Sequence, residues 1–189
     1  MMQRSAPAAA VRGILALLCL SAVVCSASVA MLAPAAAQPA PPGARPAIGA
    51  ATFLKLAHSS AVLQAQAAEL AASRDTRPEV RSFAPRMAEF RRDQIARLLS
   101  AARERTLAVS PVPAFEHKVI LENLQPLDSL ELSRRYAEVQ VQALEQELQN
   151  YAAAESSLDE WVRTFARDTR PRLQELLDEA RRLRQAIAP

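Results

Sequence analysis

The sequence predicts an all-α fold, an antiparallel four-helix bundle with a short extra helix in its one long crossover. Three observations predict it. Four long stretches carry apolar side chains at three- and four-residue spacing, the period of one helical face. Proline or short polar turn segments separate those stretches. Glycine is nearly absent, and Gly13, Gly43 and Gly49 all lie before or at the very start of the helical region.

The first stretch covers residues 47–73. Phe53, Ala57, Ala61, Gln64, Ala68 and Ala71 share one face, and so many alanines predict close approach by a neighbouring helix. Residues 74–77 break the pattern. Thr76 with Glu79 reads as a capping box, and Pro78 near the first helical position costs no hydrogen bond. The second stretch ends near Arg105, with Val80, Phe83, Met87, Phe90, Ile95, Leu98 and Ala102 inward. Pro85 predicts a bend in it.

Residues 106–113 read as a loop, followed by a short helix over 114–124 and a break at Gln125-Pro126. The third long stretch begins near Asp128 or Ser129 and ends near Ala154, with a stripe of Leu132, Tyr136, Val141, Leu144, Leu148 and Tyr151. Ser156 or Ser157 is expected to cap the fourth, which runs to about Ala186. Its inner face reads Leu158, Val162, Phe165, Thr169, Leu173, Leu176, Ala180 and Leu183, and Pro171 predicts a kink. Val80-Arg81-Ser82-Phe83-Ala84 recurs as Val162-Arg163-Thr164-Phe165-Ala166, which suggests two similar helical hairpins. The stripes predict an interior of hydrocarbon, each large side chain contributing ~1.5–3 kcal/mol on burial. Exposed pairs expected on the surface are Asp168–Arg172, Asp178–Arg182 and Glu131–Arg135, at ~0.3–0.5 kcal/mol each.

Ahead of the helices, residues 1–12 carry Arg4 and Arg12 and no acid. An apolar run over 13–33 follows, and Ala35-Ala36-Ala37 forms an A-x-A site. This pattern predicts a signal peptide over residues 1–37, cleaved between Ala37 and Gln38, and export to the periplasm or outer envelope. Left uncleaved, the run approaches the ~20 residues that span a bilayer, and membrane contact follows only in that case. Cys19 and Cys25 both fall in this segment. Ala22-Val23-Val24-Cys25 is a poor lipobox, so the mature chain is expected to have no lipid, disulfide or thiolate ligand. Residues 38–46 form a Pro-rich linker and residues 47–189 the bundle domain.

Lys and Arg number 23 against 20 Asp and Glu over the whole chain. Removing Arg4 and Arg12 leaves near-neutrality, which excludes a nucleic-acid footprint. No Glu-x-x-His occurs, so the di-iron arrangement of bundles is not expected. Glu116 and His117 are adjacent and diverge by about 100° on a helix. His58 and His117 read as isolated imidazoles, and no Ser/His/Asp arrangement or phosphate-cradling loop is apparent. Trp161, Tyr136 and Tyr151 are expected to pack. No catalytic, cofactor or metal residues are therefore assigned. The surface candidate is a ridge of Arg167, Arg170, Arg172, Arg181, Arg182 and Arg184, suited to an anionic envelope component. Its alternative is a solvated face neutralised by Asp168, Glu175, Asp178 and Glu179.

Phe83-Ala84-Pro85-Arg86-Met87, Tyr136 with Gln140-Val141, and Phe165-Ala166 continuing to Thr169-Arg170-Pro171 resemble motifs of one family. That family is the exported, ferritin-like proteins known as domain of unknown function 4142. The resemblance, which also takes in residues 53–71, implies a ferritin-like bundle without an established activity. It places Arg91, Leu144 and Leu176 where family members carry histidines, and Gln64 where they carry an acid. On this alignment Leu144 and Leu176 would fill core, and Arg91 would sit at the edge of its stripe, snorkelling outward or pairing with an acid.

The leading expectation is a non-enzymatic bundle acting through surface contacts in the envelope or in a stress response, its partner an unidentified envelope protein or anionic surface. The alternatives are a metal-binding ferritin-like protein and a membrane-anchored adaptor.

Overall fold

The computed structural model describes residues 47–187. The expected signal peptide, its expected Ala37–Gln38 cleavage position, the expected 38–46 linker and the last two residues lie outside the described residues. The described chain is all-α, with five helices and no strand: α1 (Ala50–Arg74), α2 (Pro78–Glu104), α3 (Phe115–Leu124), α4 (Ser129–Ala154) and α5 (Glu160–Ala186).

α1 and α2 fold back on each other across residues 75–77, and α4 and α5 do the same across 155–159. α1 also packs on α4, α2 packs on α5, and α3 lies in the crossover against α1 and α4. Between Lys55 and Glu69, α1 has no Asp, Glu, Lys or Arg. That composition suits a helix covered by three others, and α1 is buried well beyond the single face its alanines predict, with Leu54, Val62, Leu63, Ala65 and Ala67 all enclosed.

The 75–77 turn is tied by Asp75 and not by the expected capping box. Arg77 occupies the N-cap of α2 without a side-chain bond. Asp75 Oδ1 instead accepts the Arg77 N–H at 2.9 Å, and its other oxygen accepts from the Ser133 hydroxyl of α4. Pro78 does open α2, with Glu79 in the first turn, where a negative charge complements the helix dipole. At the other hairpin the cap is Asp159, which accepts from Val162 N at 3.2 Å, and not Ser156 or Ser157. Ser157 is used elsewhere, donating to the Ile48 carbonyl at 2.6 Å.

Leu158 is not on an inner face. It is 93% exposed because it precedes the N-cap of α5, where the helical period does not yet apply. Phe90, Ile95 and Leu148 lie at the margins of their stripes and are half-buried. Helices α2 and α5 continue through Pro85 and Pro171, whose rings face solvent. The repeat is positionally consistent: Val80 and Val162 are each the third residue of their helix, and Phe83, Ala84, Phe165 and Ala166 are buried at matching places.

Aromatic side chains close one end of the interior. Phe53 meets Tyr151 edge-on at 5.1 Å and contacts Phe165 at 5.9 Å, and Trp161 packs on Phe165 at 5.1 Å. The Arg97 and Arg105 guanidinium groups cover Phe165 and Trp161 at 4.7 and 4.5 Å.

Candidate functional site

The interior is not filled with hydrocarbon alone. Midway along the helices it encloses a charged cluster that corrects the sequence expectation. Arg91 of α2 is fully buried instead of lying at a stripe edge, and its guanidinium grips the Glu147 carboxylate of α4 at two points. Nη1 donates to Oε1 and Nη2 to Oε2, each at 2.9 Å. Two glutamines complete the shell. Arg91 Nη1 donates to Gln94 Oε1 at 2.5 Å and Nη2 to Gln64 Oε1 at 2.7 Å. The amide nitrogens of Gln64 and Gln94 return to Glu147 at 2.9 and 3.1 Å.

The cluster extends at both ends. Gln94 Nε2 donates to Tyr151 Oη at 2.7 Å, and Gln64 Nε2 donates to Ser60 Oγ at 2.9 Å. Burial pushes the Tyr151 phenol well above 10, and the Glu147 charge pushes in the same direction. A bare ion pair in an apolar interior meets a desolvation cost that the attraction alone does not offset. Here the charges are bidentate and surrounded by amide dipoles, so the cost is largely met.

Sequence reasoning did not find Glu147, Gln94 or Gln140 as interior residues. The signal was present. Glu147 lies three residues after Leu144 and four before Tyr151, on the stripe itself, and Arg91 lies four after Met87. Two opposite charges on facing stripes call for each other, because an unpaired one would not be tolerated there.

The positions assigned to the family's histidines separate into two kinds. Leu144 and Leu176 are buried in the hydrocarbon core, whereas Arg91 joins Gln64 in the polar cluster. Among the described residues, no group of three or more His, Cys, Asp or Glu side chains is placed to hold a metal ion. The single carboxylate at the centre already receives bonds from Arg91, Gln64 and Gln94.

A second feature lies on the surface where α1, α3 and α4 meet. A groove of about 520 Å³ is lined by Lys55, Leu56, Ser59, Glu116, His117 and Gln146 among others, and a recess of about 150 Å³ behind Ser59 is lined by His58, Val109 and Val112. Ser59 Oγ lies 2.7 Å from His117 Nδ1 and accepts the Ala114 N–H at 2.7 Å. The structure thus brings Ser59 and His117 together, which the sequence did not show. The pair clamps the start of α3 onto α1. His117 has no carboxylate partner among the described residues, so the contact lacks the third group that would orient a catalytic base. His58 is buried, and burial lowers its pKa from 6.5.

The arginine ridge is divided by its neighbours. Arg170 pairs with Glu155 at 2.7 Å, Arg172 with Glu175 at 2.7 Å, and Arg181 with Glu145 at 2.8 Å. Arg167, Arg182 and Arg184 form no salt bridge among the described residues. None of the three expected surface pairs forms either. Arg135 turns to Glu138 at 3.0 Å, Arg172 turns to Glu175 at 2.7 Å, and Asp178 lies 3.7 Å from Arg181 instead of pairing with Arg182.

A small all-α domain built from two helical hairpins, with a buried ion pair at its centre, is the class defined by this fold and site. The family model described as "Domain of unknown function (DUF4142)" matches residues 33–183, and the chain belongs to that family. No curated protein and no solved structure matches it.

Proposed function

We propose that this chain is an exported, non-enzymatic, ferritin-like four-helix bundle that works by surface contact in the cell envelope. The pairing of α1 with α2 and of α4 with α5, joined by the long crossover that carries α3, supports the bundle arrangement. The leader pattern of residues 1–37 supports export. The closed Arg91–Glu147 cluster supports an interior that holds the fold together and leaves recognition to the outside.

One observation carries the surface reading. Leu56, Val112 and Phe115 are exposed apolar side chains: Leu56 lines the α1–α3–α4 groove, Val112 lines the adjoining recess, and Phe115, 78% exposed, stands in the chain between the groove residues Ala114 and Glu116. Exposed aromatic and aliphatic groups clustered at a concavity, with Lys55 and Glu116 at the rim, have the composition of a protein contact: apolar centre and polar edge. The partner that fits is an envelope protein presenting apolar side chains within a nearly neutral surface.

The test places a photo-crosslinking residue at position 115 and, as control, at position 167, in cells that export the protein. A discrete adduct from 115 and none from 167, lost on Val112→Asp, is the expected result. Equal adducts at both positions, or catalytic turnover by purified protein, would overturn the reading. Phe115→Asp should change folding stability by less than ~0.5 kcal/mol, as exposed substitutions do.

A further inference from the structure

Among the described residues, five buried polar atoms have no partner: Arg91 Nε, Arg134 Nε, Tyr136 Oη, Gln140 Oε1 and Thr169 Oγ1. Arg134 is half-buried and lines a surface groove with Asn123 and Leu127, whereas the other four atoms belong to buried side chains. Tyr136 and Gln140 are one turn apart on the inner face of α4, and both side chains are fully enclosed. Gln140 Nε2 donates to the Gln64 carbonyl at 3.3 Å, and Gln64 Oε1 accepts from Arg91, so three of the helices meet here. Burial raises the Tyr136 phenol pKa, and the Arg91 charge acts on it in the opposite direction.

Thr169 lies on the facing helix, α5. The contacts Arg97–Phe165 and Arg86–Glu179 set α2 and α5 antiparallel. Arg91 therefore lies opposite the stretch of α5 that contains Thr169 and Leu173.

We propose that the interior contains a hydration site, in which ordered water bridges Arg91 Nε, Gln140 Oε1, Tyr136 Oη and Thr169 Oγ1. Buried polar groups in folded proteins are almost always satisfied, and a water is stable where it finds two to four polar partners. The chemistry selects water over an ion. Arg91 Nε offers a donor, Gln140 Oε1 an acceptor, and the two hydroxyls can serve as either. Arg91 and Glu147 already balance each other, so an anion would meet the Gln140 acceptor, and a cation would meet the guanidinium.

Water also explains why a fifth guanidinium N–H is tolerated in an apolar core when the other four bond to protein.

The test uses the folded domain in solution, with water-to-protein magnetisation transfer read at the Arg91 Nε–H. Thermal unfolding of Tyr136→Phe and Thr169→Val accompanies it. Bound water predicts a direct water signal at Arg91 Nε–H, with a lower Tm for both variants because each strands a bridging water. If the hydroxyls are orphaned in a dry core, removing them relieves a desolvation penalty, so both variants unfold at a higher Tm and Arg91 Nε–H shows no water signal. That outcome overturns the proposal. Because Tyr136→Phe and Thr169→Val preserve shape, the sign of the shift is readable without loss of the fold.

Discussion

Tyr136 and Tyr151 are the only two tyrosines of the chain, and both are enclosed. Burial is the first cause of their raised pKa values, both well above 10. Each therefore favours the folded state below the unfolded phenol value and loses that contribution as pH rises beyond it. Alkaline titration should show no phenolate absorbance until the protein unfolds, and then both tyrosines together. A gradual rise near pH 10 in folded protein would contradict their burial. His58 runs the other way. Burial lowers its pKa from 6.5, so the unfolded chain takes up a proton that the folded chain resists. Its stability contribution is intact above about pH 6.5 and is lost as pH falls through the folded value. His58→Gln should flatten the decline in unfolding free energy between pH 7 and 5, measured by urea denaturation.

At the scale of elements, α2 ends in a strained turn. Thr106 adopts φ 53°, the left-handed region that disfavours a β-branched side chain. It is held there by two bonds that close the helix, Leu107 N to the Ala102 carbonyl at 2.9 Å and Thr106 N to the Arg103 carbonyl at 3.1 Å. Thr106→Gly keeps both bonds and removes the clash, so unfolding free energy should rise by about 1 kcal/mol in chemical denaturation. All five helices were legible in the sequence to within a few residues, because apolar period and proline placement are local signals. Their ends were less so. The Thr76 capping box gave way to Asp75, which uses a long-range bond to Ser133 that no local pattern contains. Ser157 was diverted to Ile48 for the same reason. The site was less legible still. Apolar stripes draw attention to Leu144 and Leu176 and pass over Glu147, which lies on the same stripe and is the partner of Arg91. The Ser59–His117 contact spans 58 residues and has no signature within either helix.

For the whole molecule, the Arg91–Glu147 pair joins the two hairpins, since Arg91 lies on α2 and Glu147 on α4, and Gln64 brings in α1. Its energy is a property of the assembly. The arginine surface is a solvated mixture of paired and unpaired cations, each exposed pair adding at most ~1 kcal/mol, so long-range cohesion rests on the interior. The measurement that tests this most directly is a double-mutant cycle on Arg91→Met and Glu147→Leu, by chemical denaturation. Each single change should cost about 3–5 kcal/mol, because it strands the opposite charge in the core, and the double change should cost well below their sum. Additive losses of less than ~1 kcal/mol each would mean that the two charges are neither buried nor coupled, and would contradict the closed interior from which a surface function is argued.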